Sequence, residues 1–265
     1  MDPGQERGRV GQAASTMVSG ETEVGPQDAA PGDGAGGAGH ELRSFGRRRG
    51  RKLSPRQQHL VETLLPRLAI DLAQPAPDRL ADLLGAGVGE VWLEIGFGGG
   101  EHLLWQARQT AQVGIIGCEP FLDGLVKVLA AIDDAKGGLG NVRLHGDDAR
   151  PLLRWLPDAS LARAFILFPD PWPKARHRKR RLVSEASLRE LARAMRPGAE
   201  LRLATDISDY ARHMLIAIAR EGSFRWTATG PDDWRQRPPD WPPTRYEAKA
   251  LREGRKPAYL SFARR

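Results

Sequence analysis

The 265-residue chain is 40% hydrophobic, enough for the core of one large α/β domain with extensions. Its formal net charge of +7 favours a polyanionic partner, nucleic acid first, and no run reaches the roughly 18 apolar residues of a membrane span. A single cysteine, Cys118, excludes an internal disulfide and a thiolate-based zinc site; with no apolar leader core either, the expectation is a soluble, cytoplasmic protein.

Residues 1–40 carry six acids against Arg7 and Arg9 and are rich in Gly, Ala and Pro, a composition that predicts a disordered acidic tail. The domain expected over 41–265 begins with a basic arm, 41–56, in which Arg43, Arg47, Arg48, Arg49, Arg51, Lys52 and Arg56 face only Glu41. Ser54-Pro55 is an N-cap followed by a first-turn proline, and Leu60, Leu64, Leu65 and Leu68 continue a helical period. Beyond it, short apolar runs predict strands at 90–95, 112–118, 141–146, 162–168 and 200–205. Helical periodicity falls at 100–109, 121–134, 183–195 and 207–221, and two more strand candidates, 223–230 and 258–265, close the chain with no clear helix between them. This alternation implies a doubly wound α/β sheet with helices on both faces and ligands at the carboxyl ends of its strands.

The first strand runs into Glu94-Ile-Gly96-Phe-Gly98-Gly-Gly100-Glu101. Alternate glycines let the backbone take positive φ and approach a ligand closely. Glu119, some 20 residues on, ends the second strand where an acid can accept from both ribose hydroxyls of an adenine nucleoside. A dinucleotide fits less well. The third glycine of G-x-G-x-x-G would fall at Glu101 or, in the other phase, at Leu103, and an acid at a helix start repels pyrophosphate. A cofactor without phosphates is preferred, with Glu94 suited to the cationic methionine portion of S-adenosylmethionine and Asp147 or Asp148 to the adenine amino group.

After the fourth strand comes "FPDPWPKARHRKRR", an acid between two prolines and then six Lys or Arg side chains within eight residues. E-x-G-x-G-x-G and the acids after strands two and three resemble the class I S-adenosylmethionine-dependent methyltransferases, and this stretch resembles the bacterial tRNA (guanine-N7)-methyltransferase family. "RSFGRRRGRKLS", "ATDISDYARHM" and "TRYEAKALREGRKPAYLSFAR" resemble further motifs of that family in the same order, so the likeness spans about residues 42–264. It implies a Rossmann-like class I methyltransferase fold, a three-layer sandwich whose seven-stranded sheet has its last strand antiparallel, and methyl transfer to a variable-loop guanosine of tRNA. It further implies cofactor contacts at Glu94, Gly96, Gly98, Gly100, Glu119 and Asp148, Asp170 as the catalytic acid, and substrate contacts at Lys174, Asp206, Thr244, Arg245, Tyr246 and Glu247. Asp148 is favoured over Asp147 because it precedes Ala149 as in the family.

The chemistry can be read from the residues as well. Guanine N7 has an in-plane lone pair and no proton, so positioning matters more than a strong base, and well-oriented reactants lower a barrier by up to roughly 7 to 11 kcal/mol. Pro169 and Pro171 restrict φ on either side of Asp170 and make its carboxylate a stiff acceptor for guanine N–H groups, with Trp172 as a wall or stacking residue. Arg176, His177, Arg178, Lys179, Arg180 and Arg181, with Lys174, are suited to phosphates and together with the basic arm form a bipartite RNA surface. Asp206 suits a helix cap as well as a substrate ligand; Trp226, Trp234 and Trp241 suit loop packing as well as base stacking. His102 and His145 flank the cofactor motifs, but six histidines with no H-x-x-x-H pair give no metal site. The rival readings are an exocyclic-amine methyltransferase and a noncatalytic RNA-binding protein; the quaternary state is a monomer or a homodimer.

Overall fold

Strand β2 (Val113–Cys118) is buried at all six positions, the signature of a strand covered by helices on both faces. The computed structural model describes residues 48, 50, 52–109, 111–135 and 138–265. The chain divides into two units, Met1–Glu41 and Leu42–Arg265, and the sheet with its helices belongs to the second. The expected acidic tail and most of the basic arm lie outside the described residues.

The described elements run α1 (Pro55–Thr63), α2 (Leu65–Leu68), β1 (Glu90–Ile95), α3 (Glu101–Gln109), β2, α4 (Leu122–Asp133), β3 (Val142–His145), α5 (Ala149–Trp155) and β4 (Leu161–Leu167). They continue with α6 (Glu185–Ala194), β5 (Met195–Thr205), α7 (Ser208–Glu221), β6 (Phe224–Trp226), α8 (Asp232–Arg235), α9 (Arg245–Arg252) and β7 (Ala258–Arg264). The seven strands form one sheet in the order β3-β2-β1-β4-β5-β7-β6, with β7 antiparallel to both neighbours. This is the expected class I methyltransferase arrangement. The order reverses between β1 and β4, which pair in parallel, so the crevice for a ligand opens at their carboxyl ends.

Side chains alternate across the sheet and feed two apolar layers. Ile115, Val142 and Leu144 join Leu104 of α3 and Leu129 of α4 on one side. Ile116, Ile166 and Leu203 join Leu152, Leu191 and Met214 of α5, α6 and α7 on the other. Ser54 caps α1 as its sequence implies, in a capping box with Gln57, and Ile70 donates to the Leu144 carbonyl at 2.9 Å beside the edge strand β3. Among the described residues, no helix is long and apolar enough to cross a membrane.

Three helices escape the sequence pattern, the single turn α8 and two longer ones. α5 has only seven residues, with Pro151 in its first turn, and α9 buries only Glu247 and Ala250, so neither shows an apolar period. The strand expected over 223–230 shortens to Phe224–Trp226, and β5 begins at Met195 instead of residue 200, with a register shift opposite Leu161 and Arg163. Trp241 is buried against Tyr259, Trp226 packs edge-on to Phe262, and Trp234 packs against the core, so all three serve packing.

Candidate active site

A cavity of about 360 Å3 lies at the carboxyl ends of β1, β2 and β4. That is the size of a small-molecule site. Its floor is the glycine turn after β1. Gly98 has φ +56°, and a Cβ there would lie 2.9 Å from the Tyr246 ring; at Gly100, φ +78°, it would overlap Val128 Cγ2. Only glycine satisfies both the backbone conformation and the space. Glu119 closes the floor: its Oε2 accepts from Gly98 N at 2.8 Å and its Oε1 from Phe121 N at 3.0 Å. Burial raises the Glu119 carboxyl above the ordinary glutamate range, while these two N–H groups act in the opposite sense.

Of the two adjacent aspartates, Asp148 lines the cavity. It also caps α5, accepting from Arg150 N at 2.8 Å and pairing with the Arg150 guanidinium. Asp147 is exposed and pairs with Arg48 of the basic arm. Glu94 is 3% exposed and meets His102 Nδ1 at 2.7 Å, one layer behind the cavity wall. Cys118 is also fully buried, and burial pushes its thiol well above its ordinary value, so it is inert as a nucleophile.

The opposite wall is Phe168-Pro169-Asp170-Pro171-Trp172, of which all but Pro171 line the cavity. Phe168 (φ +52°) and Trp172 (φ +41°) both take the left-handed conformation, which costs a bulky residue roughly 1 to 3 kcal/mol. The two prolines and Phe168 N, which donates to Ala204 O at 2.8 Å, hold the turn in this shape. Asp170 is exposed to the cavity, yet its walls desolvate the carboxyl enough to raise it above the usual aspartate range.

The basic stretch forms a 3-10 turn, Ala175–Arg180. Lys174, Arg176 and Lys179 are exposed and take no ion pair among the described residues. Arg178 shares Asp209, while desolvation and the neighbouring cations lower His177 below its ordinary value. Arg180 turns inward, lining the cavity with its guanidinium 5.1 Å from the Trp172 ring centre. Arg181 leaves the expected RNA surface altogether. It is 2% exposed, donates from Nε to Pro171 O at 2.8 Å, pairs with Asp209 and lies over the Tyr210 ring.

The structure divides the Thr244–Glu247 motif. Arg245 and Tyr246 line the cavity; Arg245 pairs with Glu101. Thr244 and Glu247 form the capping box of α9, and buried Glu247 accepts from Arg237 and from the Tyr259 hydroxyl. Asp206 does not cap α7 but pairs with Arg255, outside the cavity lining. Sequence reasoning overlooked Lys127 and Arg150 on the cavity wall, and Lys249 and Arg252, exposed on α9. The spacing i, i+4, i+7 of Arg245, Lys249 and Arg252 signals one cationic helix face once the helix is known. Among the described residues, no group of three or more His, Cys, Asp or Glu side chains is placed to hold a metal ion.

The methyltransferase family model Methyltransf_4 matches residues 89–260. The tRNA (guanine-N(7)-)-methyltransferase of Brucella melitensis biotype 1 is 52% identical over 221 residues, 83% of this chain and 94% of that protein. The protein of the same name from Rhodospirillum rubrum is 49% identical over 228 residues, covering 85% and 89%. The chain belongs to the tRNA (guanine-N7)-methyltransferase family. Among solved structures, the 16S rRNA methyltransferase KamB is a distant likeness, with a TM-score of 0.49 at 19% identity, covering 72% of this chain and 96% of that one.

In this family member, Arg181 bolts the acid turn to α7. Arg181→Met keeps an apolar stem over Tyr210 but removes the guanidinium, and is expected to cost about 1 to 3 kcal/mol in urea unfolding. A stability equal to the parent's would show that the turn holds without this anchor.

Proposed function

We propose that this chain transfers a methyl group from S-adenosylmethionine to N7 of a guanosine in tRNA, a reaction of the cytoplasm. The observation that carries this reading is the placement of Asp170: a stiffly held carboxylate faces the same cavity as the glycine turn and Glu119, and a cationic turn follows it directly.

The residues fit the cofactor. Glu119 offers a nucleoside sugar a preset acceptor, Ile95, Phe121 and Ala149 offer apolar surface, and the glycine turn allows close backbone approach. When bound, S-adenosylmethionine supplies an electrophilic methyl group on a cationic sulfur. Asp170 accepts from the guanine N1–H and exocyclic amine, which fixes the ring and stabilises the positive charge that the purine acquires as the N7–methyl bond forms and the methyl–sulfur bond breaks, the sulfur leaving as a neutral thioether. No general base is required, because N7 carries no proton. Trp172 and Tyr246 offer ring faces to the target base, and Arg180 offers it or its phosphate a cation. Lys174, Arg176 and Lys179 bind the backbone nearby, contributing affinity without sequence information.

Incubating the protein with unmodified tRNA and methyl-labelled cofactor should place label in N7-methylguanosine, and Asp170→Ala should remove it while tRNA binding persists. N6-methyladenosine as the product would favour exocyclic-amine chemistry. Tight tRNA binding with no label in any nucleoside would favour a binding protein.

The pH dependence has a definite sign. Asp170 can accept from both guanine N–H groups and carry negative charge only when ionised, and its carboxyl is raised, so with cofactor saturating the rate falls as pH drops through a value above the ordinary aspartate value of about 3.9. An acid limb unchanged in Asp170→Asn, in whatever activity remains, would assign that limb to another group.

Alanine at Lys174, Arg176 and Lys179 together should weaken tRNA binding uniformly across sequences. The slope of log affinity against log salt should fall by about 0.7 to 0.9 for each phosphate that is no longer neutralised. An unchanged slope would place the phosphates elsewhere.

A further inference from the structure

Behind the cavity runs a buried polar chain that the reaction as described does not use. His102 Nδ1 lies 2.7 Å from Glu94 Oε2, and His102 Nε2 lies 3.1 Å from Gln106 Nε2. Gln106 Nε2 also lies 3.1 Å from the backbone carbonyl of Asp240, in the loop that leads to α9. Glu94, His102 and Gln106 are all at least 96% buried, and the imidazole is wedged edge-on against Phe165 and Trp241.

These contacts determine where the imidazole proton sits. A carbonyl oxygen only accepts, so the Gln106 atom facing Asp240 is the amide nitrogen. That nitrogen has a second hydrogen, which it donates to His102 Nε2, so Nε2 is the unprotonated ring atom. The proton is therefore on Nδ1 and is donated to Glu94, at a length typical of a charge-assisted bond.

We propose that His102 is a positioning residue for Glu94, locked as its Nδ1–H tautomer by Gln106 and the Asp240 carbonyl. This rests on the proposed S-adenosylmethionine site, whose glycine turn begins two residues after Glu94. The chain joins the end of β1, directly before Gly96, to the loop that delivers Arg245 and Tyr246, so one tautomer keeps cofactor floor and substrate wall in register. An alanine at 102 leaves a buried carboxylate without its donor, whereas asparagine returns an N–H at the branch depth of Nδ1.

Two measurements test this. Nitrogen-15 NMR of the histidine rings in the full-length protein at neutral pH should show His102 protonated at Nδ1 alone, with the tautomers mixing in Gln106→Leu. Protonation at Nε2, or at both nitrogens, overturns the proposal in the wild-type protein without any mutant. Calorimetry with S-adenosylhomocysteine should show roughly tenfold or greater weakening in His102→Ala and His102→Gln, and recovery to within about threefold in His102→Asn. Wild-type binding with an undiminished, folded His102→Ala overturns the positioning role alone. No binding by the wild-type protein overturns the cofactor reading and the positioning role together.

Discussion

The cavity depends on one carboxylate whose two oxygens are both claimed by backbone. Glu119 bonds Gly98 N and Phe121 N and so ties the turn after β1 to the turn after β2. Helix α4 is packed into the same joint. A Cβ on Gly124 would overlap the Gly98 carbonyl and sit 3.1 Å from Glu119 Cγ, so α4 meets the glycine turn backbone to backbone beside the Glu119 side chain. A floor built this way has little freedom to rearrange when a ligand arrives, and the Glu119 oxygens keep lone pairs beyond the two that these N–H groups take.

The facing wall is rigid for a different reason. Phe168 and Trp172 hold a backbone conformation that their side chains disfavour, and the cost is offset by what surrounds them. Phe168 packs against the cluster of Phe165, Trp241 and Tyr259, Arg180 lies over Trp172, and Arg181 grips the Pro171 carbonyl from beneath. The third wall, at the start of α9, is held by buried Glu247, which joins its own cap to Arg237 and Tyr259. Glu247 thus acts on the cavity through the helix start that presents Arg245 and Tyr246.

The sheet and the motif positions were legible because they rest on local signals: apolar runs of strand length, glycines at alternate positions, an acid between prolines. The glycine turn, Glu119, Asp148 and Asp170 converge because parallel strands must place their carboxyl ends together. What a linear pattern cannot carry is partner choice. Arg181 looks the same as Arg180 in sequence, yet one is buried under Asp209 and the other lines the cavity, a distinction made by α7, which begins 27 residues after Arg181. Glu94 and Glu247 likewise read as ligands and are engaged by His102, Arg237 and Tyr259, contacts that form only once the loops fold back. Helix α9 escaped notice because its buried positions are a glutamate and an alanine.

Arg181 also explains why a stiff acid and a run of cations share one short stretch. The guanidinium fixes Pro171, the residue after Asp170, while its own backbone terminates the 3-10 turn that carries Arg176 and Lys179. It is anchored in turn to α7 through Asp209, which also takes Arg178. On the proposed reading, a phosphate held by the exposed cations would therefore stand in a nearly fixed relation to the Asp170 carboxylate. Salt screens charges beyond about 8 Å at physiological ionic strength, so exposed phosphate contacts weaken as salt rises far more than the hydrogen bond from buried Arg181 to the Pro171 carbonyl. On that reading, packing would set the register between backbone and base, and salt would change how often RNA is held without changing where the base is delivered.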